Sequence, residues 1–190
     1  RYYLIKEVSF GNDGNISQEK LEDCINSDLA NNYGNLCQRV TAFTIKNCES
    51  KIPEKIEFQK DDLDILNKYN NNLDNIRSKI DKQDINFYID YIINSLFEAN
   101  KYFNDQEPWK KKDDIVRLNT IVYTTLEIVR KISFLLFPII PHSSLKALKI
   151  FNLSEKDIDF TSIGNNDFLT KGNSINKIEI LFNKIEKDND

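Results

Sequence analysis

A chain of 190 residues with 40% hydrophobic and 29% charged residues has enough apolar surface for one packed core, which excludes wholesale disorder. With only 5 glycines and 4 prolines it is too poor in breakers for many short strands joined by tight turns, so long helices are favoured. A formal net charge of -4 excludes the diffuse positive field by which generic nucleic-acid binders gather phosphates, and leaves room only for a local site.

Tyr2, Tyr3, Leu4 and Ile5 open the sequence on an apolar segment, and Phe10-Gly11-Asn12-Asp13-Gly14-Asn15 has turn chemistry. No Lys-Ser/Thr pair follows those glycines, so the cluster is not a phosphate loop. Ser17 is a good N-cap for a first helix running to about Asn47, with Leu29, Leu36, Val40 and Phe43 at helical spacing. Lys20 three residues on rules out a capping box at that end. Residues 49–58 form a connector around Pro53. A second helix is predicted over 60–80, with Leu63, Leu66, Leu73, Ile76 and Ile80 as its stripe, and a third over 83–104, with Ile85, Tyr88, Ile89, Ile92, Leu96 and Phe97 inward. Pro108 suits a first helical position, so a fourth helix should begin there and bury Ile115, Leu118, Val122, Leu126, Val129, Ile132 and Leu136. Pro138 and Pro141 mark its exit, and a short helix follows from Ser143 to Phe151.

Beyond residue 153 the pattern is less regular. Lys177-Ile178-Glu179-Ile180-Leu181-Phe182 offers an apolar strip for docking, and Glu186 to Asp190 reads as a solvated tail. The expected architecture is all-α: an antiparallel helical bundle over 17–152, flanked by short extensions over 1–16 and 153–190. An opening without Met, in a sequence that has none, suggests a piece of a longer polypeptide.

Side chains suited to catalysis are scarce. Cys24, Cys37 and Cys48 lack metal-knuckle or redox spacing and read as reduced thiols, and His142 stands without a neighbouring ligand cluster. No acidic pair is isolated in an apolar setting. Neither a catalytic group, nor a metal site, nor a cofactor is expected in this segment. Ile132 to Ile140 is too short to cross a bilayer and no signal peptide is visible, so no membrane association and a cytoplasmic setting are expected.

Trp109 is the single tryptophan, flanked by Glu107 and followed by Lys110, Lys111 and Lys112. It is either tucked under the bundle end or an exposed platform on which a nucleic-acid base stacks, with the lysines holding phosphates. On the first helix, Asn31, Asn35 and Arg39 are each four apart and form one polar stripe, roughly 120° from the apolar one. Asn and Arg read base edges through paired hydrogen bonds, although the stripe also suits an ordinary solvated face.

Taken together these segments resemble one family. Arg1 to Gly14 is similar to the stretch of bacterial methionyl-tRNA synthetases that follows their Lys-Met-Ser-Lys-Ser loop. Asp28-Leu29-Ala30-Asn31, Gly34-Asn35-Leu36 and Arg39 resemble the first helix of the family's anticodon-binding domain, a bundle of class I aminoacyl-tRNA synthetases. Ala99 to Tyr102 and Glu107-Pro108-Trp109 resemble its anticodon tryptophan motif, Arg130-Lys131-Ile132 with Pro138 and Pro141 the next helix, and Gly172 through Phe182-Asn183-Lys184-Ile185 its terminal segment. The resemblance implies that Trp109 stacks on the CAU anticodon loop of methionine tRNA, that Asn35 and Arg39 contact bases, and that Asn31 lies one turn earlier. It also implies an upstream catalytic domain of the same chain that uses ATP and Mg2+, and a monomeric enzyme.

Three departures from the family pattern stand out. Asn104 occupies a position five before the tryptophan where an acidic residue is common. Lys110 and Lys111 replace small or apolar residues, and Phe182-Asn183 stands where Phe-Pro is common. The competing readings are the equivalent bundle of a valine, isoleucine or cysteine synthetase, and a structural bundle that touches no RNA.

Overall fold

The computed structural model describes residues 1–8, 14 and 16–186. Apart from Gly14, the turn expected over 10–15 lies outside the described residues, as does the tail from 187. Helix α1 spans Tyr2–Glu7 and α2 spans Gln18–Cys24. The chain then widens into a π-helical stretch, Ile25–Gly34, and returns to α-helix in α3, Asn35–Asn47. Helices α4 (Lys60–Asp81) and α5 (Ile85–Gln106) follow, then a 3-10 turn at Pro108–Lys110, α6 (Ile115–Leu136), α7 (Pro141–Leu148) and three 3-10 turns between Lys149 and Gly164. Among the described residues no strand forms, and one isolated bridge joins Lys51 to Ser174. The fold is the all-helical bundle that the sequence predicts.

Local chemistry explains most boundaries. The Ser17 hydroxyl accepts from the Lys20 N–H at 3.4 Å, as its N-cap reading requires. At the start of α4, Gln59 and Asp62 form a reciprocal capping box that the pattern analysis did not find. The fourth helix starts at Ile115 rather than at Pro108. Pro108 initiates only a 3-10 turn, and the helix proper is capped by Asp114, which accepts from the Arg117 N–H at 3.0 Å.

Helix α6 is the axis of the bundle and packs against α3, α4, α5 and α7. From Arg117 to Leu136 every residue except Asn119 is buried. Leu118, Val122, Leu126, Val129, Ile132 and Leu136 lie in the core as their spacing predicts, but Ile115 is 56% exposed in the first turn, beyond the reach of its neighbours. Leu63 and Ile80 are likewise exposed, near opposite ends of α4. Phe97 is exposed as well, because the buried face of α5 runs through Ile89, Ile92, Leu96, Ala99 and Phe103, and Phe97 sits about 100° away from Leu96.

Helix α6 also buries charge. Arg117 grips the fully buried Asp62 of α4 with two hydrogen bonds, 2.5 and 2.9 Å, while Tyr102 of α5 and the Gln59 backbone N–H donate to the same carboxylate. Nearly three turns further along, Glu127 and Arg130 form a fully buried pair at 2.7 Å. Arg130 donates on to the carbonyls of Ser162 and Asn165, and Glu127 accepts from the Leu169 N–H at 2.6 Å. Lys131 donates to Asn166 at 2.6 Å. Burial, reinforced by the Arg130 charge, pulls the Lys131 ammonium down to about 7.

Two stability predictions follow from these buried charges. Arg117→Ala leaves Asp62 as a buried carboxylate without its counter-charge, so urea unfolding should show a loss of about 3–5 kcal/mol; a loss near zero would mean the pair contributes nothing. For Lys131, between pH 7 and 10.5 the unfolded chain holds a proton that the folded chain has released, so the penalty for burying this side chain falls as pH rises. The unfolding free energy of wild type minus that of Lys131→Met should therefore climb across that window, by up to ~1.4 kcal/mol per pH unit, and level off below it. A pH-independent difference would contradict the lowered affinity for the proton.

Candidate nucleic-acid interface

Helix α5 ends at Gln106 because Glu107 turns into the left-handed region (φ 45°, ψ 57°), a conformation that costs a residue with a Cβ roughly 1–2 kcal/mol. Pro108 then starts the 3-10 turn, closed by hydrogen bonds from Lys110 N–H to Glu107 O at 2.9 Å and from Lys111 N–H to Pro108 O at 3.1 Å. An ion pair between Lys110 and Glu107 at 2.8 Å spans it. The buried Arg117 also donates to Gln106 at 2.5 Å, so the turn is anchored to the core on its α5 side.

This turn presents Trp109, which is 39% exposed. Its indole meets the buried Phe103 ring edge-on, with centroids 5.9 Å apart and planes at 75°. The Arg39 guanidinium lies 5.4 Å from the centroid of the same ring and donates to Asn104 Oδ1 at 2.6 Å. Helix α3, the end of α5 and the 3-10 turn thus converge on Phe103, with Trp109 and Arg39 side by side at the surface. Asn104 supplies an acceptor without a charge, so Arg39 is oriented there and keeps its positive charge available. Lys111 is half-buried and Lys112 exposed, and neither forms an ion pair among the described residues.

The stripe read from the sequence divides. Asn31 lies in the π-helical stretch and Asn35 begins α3, so the step of four between them is not a regular α-helical turn. Asn31 and Asn35 line an open cleft of about 300 Å³ between the first helix and the terminal segment near Phe182, whereas Arg39 faces Phe103 and Asn104. Asn32, beside them, is buried instead and accepts from Asn100 of α5 at 2.7 Å. The residue pattern alone does not mark Phe103 as the shared support. It does carry the burial of this ring, since Phe103 falls four residues after Ala99 on the buried face of α5.

Among the described residues no three His, Cys, Asp or Glu side chains are grouped as metal ligands. The cysteines are free, and burial raises the Cys24 thiol to about 12 and the Cys48 thiol to about 11, far from a nucleophilic thiolate. No helix of the described residues is long and apolar enough to cross a membrane.

Comparison with known proteins gives one answer. Residues 52–190 match the family described as the anticodon binding domain of methionyl tRNA ligase, and residues 1–41 match the class I tRNA synthetases of the methionine type. The methionine–tRNA ligase of Mycobacterium leprae is 38% identical over 168 residues, covering 86% of this chain and 31% of the relative. That of Rickettsia felis is 36% identical over 192 residues, covering 99% of this chain and 38% of the relative. The crystal structure of Mycobacterium tuberculosis methionyl-tRNA synthetase in its free state superposes with a TM-score of 0.91 at 32% identity, over 98% of this chain and 38% of that one. The chain thus spans about a third of the length of the relatives it matches. The chain belongs to the methionyl-tRNA ligase family, over the part that holds the family's anticodon-binding domain.

Proposed function

We propose that this segment reads the CAU anticodon of methionine tRNA for a methionine–tRNA ligase, whose catalytic domain precedes it in the same chain and uses ATP with Mg2+. The observation that carries this reading is the half-exposed Trp109 held beside Arg39 on the common support of Phe103. An indole held against one buried ring and 39% exposed offers apolar surface to an unstacked base, and such stacking contributes about 1–3 kcal/mol. Arg39, oriented by Asn104, has N–H donors left over for a base edge, and Asn35 one turn earlier adds an amide with both a donor and an acceptor. Asn31 extends the same reading surface. Lys111 and Lys112, with Lys110 more weakly because Glu107 neutralises it, meet the phosphates that flank the stacked base.

The net charge of -4 is compatible with this role, because specificity resides in a few placed contacts and not in a broad field. Docking of the anticodon loop here fixes the far end of the tRNA relative to the upstream catalytic domain, so anticodon binding is expressed in the rate of aminoacyl transfer. The enzyme acts as a monomer in the cytoplasm.

Trp109→Ala in the full-length ligase should lower kcat/KM for tRNA aminoacylation by at least about 1–3 kcal/mol, with ATP–pyrophosphate exchange nearly intact. An unchanged kcat/KM for tRNA would overturn the proposal. Arg39→Ala should lose about 1–3 kcal/mol of discrimination at one anticodon base. A uniform loss over all anticodon variants would make Arg39 a phosphate contact instead.

A further inference from the structure

The cleft beside Asn31 and Asn35 has a second wall. Terminal residues Ile180, Phe182, Asn183 and Lys184 face the first helix across it, and Gln38 borders it one turn beyond Gly34. The terminal segment is fastened there on three counts. Leu181 is buried, Phe182 packs on Tyr33 with ring centroids 6.4 Å apart, and Asn26 clasps the backbone of Ile185 by donating to its carbonyl at 2.9 Å and accepting from its N–H at 2.8 Å. At Gly34 a Cβ would stand in ordinary contact with the Phe182 ring, 3.8 Å away, and would be tight only against the Leu29 carbonyl oxygen at 3.2 Å.

This chain uses most of its asparagines to hold itself together. Asn26, Asn32, Asn86, Asn100, Asn152, Asn166 and Asn176 each give at least one amide atom to a backbone or side-chain partner. The amides of Asn31, Asn35, Gln38 and Asn183 gather around one cleft and have no side-chain hydrogen bond among the described residues. A cleft lined by four such amides and by the Phe182 side chain has what an unstacked nucleobase requires: an apolar surface for its face, and donors and acceptors for its edge. Asn35 lies about 6 Å along the helix from Arg39, so the cleft continues the surface that begins at Trp109.

We propose that Asn183 of the terminal segment, together with Asn31, is a specificity-determining residue: the segment completes a pocket for the edge of one anticodon-loop nucleobase, a different one from the base stacked on Trp109. This rests on the anticodon-reading function proposed above. The position matters because an asparagine brings to the pocket an amide that a proline there would lack.

The test uses the full-length ligase, with transcripts of methionine tRNA substituted singly at each anticodon-loop base, and with ATP–pyrophosphate exchange to confirm an intact catalytic part. Asn183→Ala is expected to lower kcat/KM for the unsubstituted tRNA about tenfold, and to have little further effect on a tRNA changed at one particular base, with Asn31→Ala pointing to the same base. A uniform tenfold loss across every transcript would make Asn183 a backbone contact and overturn the pocket. No loss with Asn183→Ala, while Trp109→Ala remains defective, would overturn the pocket and leave the anticodon-reading function standing. If neither variant loses activity, that function falls and the pocket with it.

Discussion

A helix buried on every side must find partners for its polar groups inside the protein, and α6 arranges the rest of the molecule through the partners that its charged residues take. Three of its hydroxyls return to the preceding turn, Thr120 to Val116, Thr125 to Ile121 and Ser133 to Val129, whereas the buried Thr124 hydroxyl has no partner among the described residues. Its charged residues cannot do this and reach outward. Arg117 takes Asp62 and Gln106, Glu127 and Arg130 take each other and the chain between Ser162 and Leu169, and Lys131 takes Asn166. An unpaired charge at these depths costs several kcal/mol, so the partners are held firmly wherever they come from. One set of partners fixes the end of α5, from which the Trp109 turn leaves. The other fixes an irregular segment that has too few apolar residues in periodic order to place itself.

Order at the interface therefore originates in the core. Glu107 adopts a left-handed conformation and Trp109 keeps much of its ring in water, both unfavourable on their own. The turn holds this arrangement because Gln106 just before it is tied to Arg117, and because Phe103 gives the indole one apolar contact. The same ring receives Arg39, so the two exposed groups are positioned by one buried side chain, and neither has to order the other when a ligand arrives.

The helices, the bundle and the central role of the segment from Leu118 to Leu136 were legible in the sequence, because burial on a periodic face leaves a periodic record. The errors were of two kinds. Leu63, Phe97 and Ile115 are apolar and at helical spacing, yet they lie off the packed face or beyond the end of a neighbour, which composition does not record. The π-helical stretch from Ile25 to Gly34 leaves no mark in the residue pattern, so the step from Asn31 to Asn35 is not the regular turn that the spacing predicts, while Arg39, one regular turn after Asn35 in α3, reaches Phe103 and Asn104. Trp109 was found early because a lone tryptophan among charges is conspicuous. Phe103 was not singled out, because a support looks like any other core phenylalanine until its neighbours are known.

The acidic balance of the chain sharpens the physics of recognition. A protein with excess negative charge gains little from bulk attraction to a polyanion, so its contacts must work at close range and in fixed geometry. The substitution of Asn104 for an acidic residue suits that demand. A carboxylate would orient Arg39 more strongly but would neutralise it, whereas the amide oxygen orients it and leaves the charge intact. The excess of acid is spent elsewhere: Asp62 and Glu127 serve the core, and Glu54, Glu98 and Asp105 pair with lysines on the surface. Around Trp109 the balance reverses, with Arg39, Lys111 and Lys112 unopposed by any ion pair among the described residues.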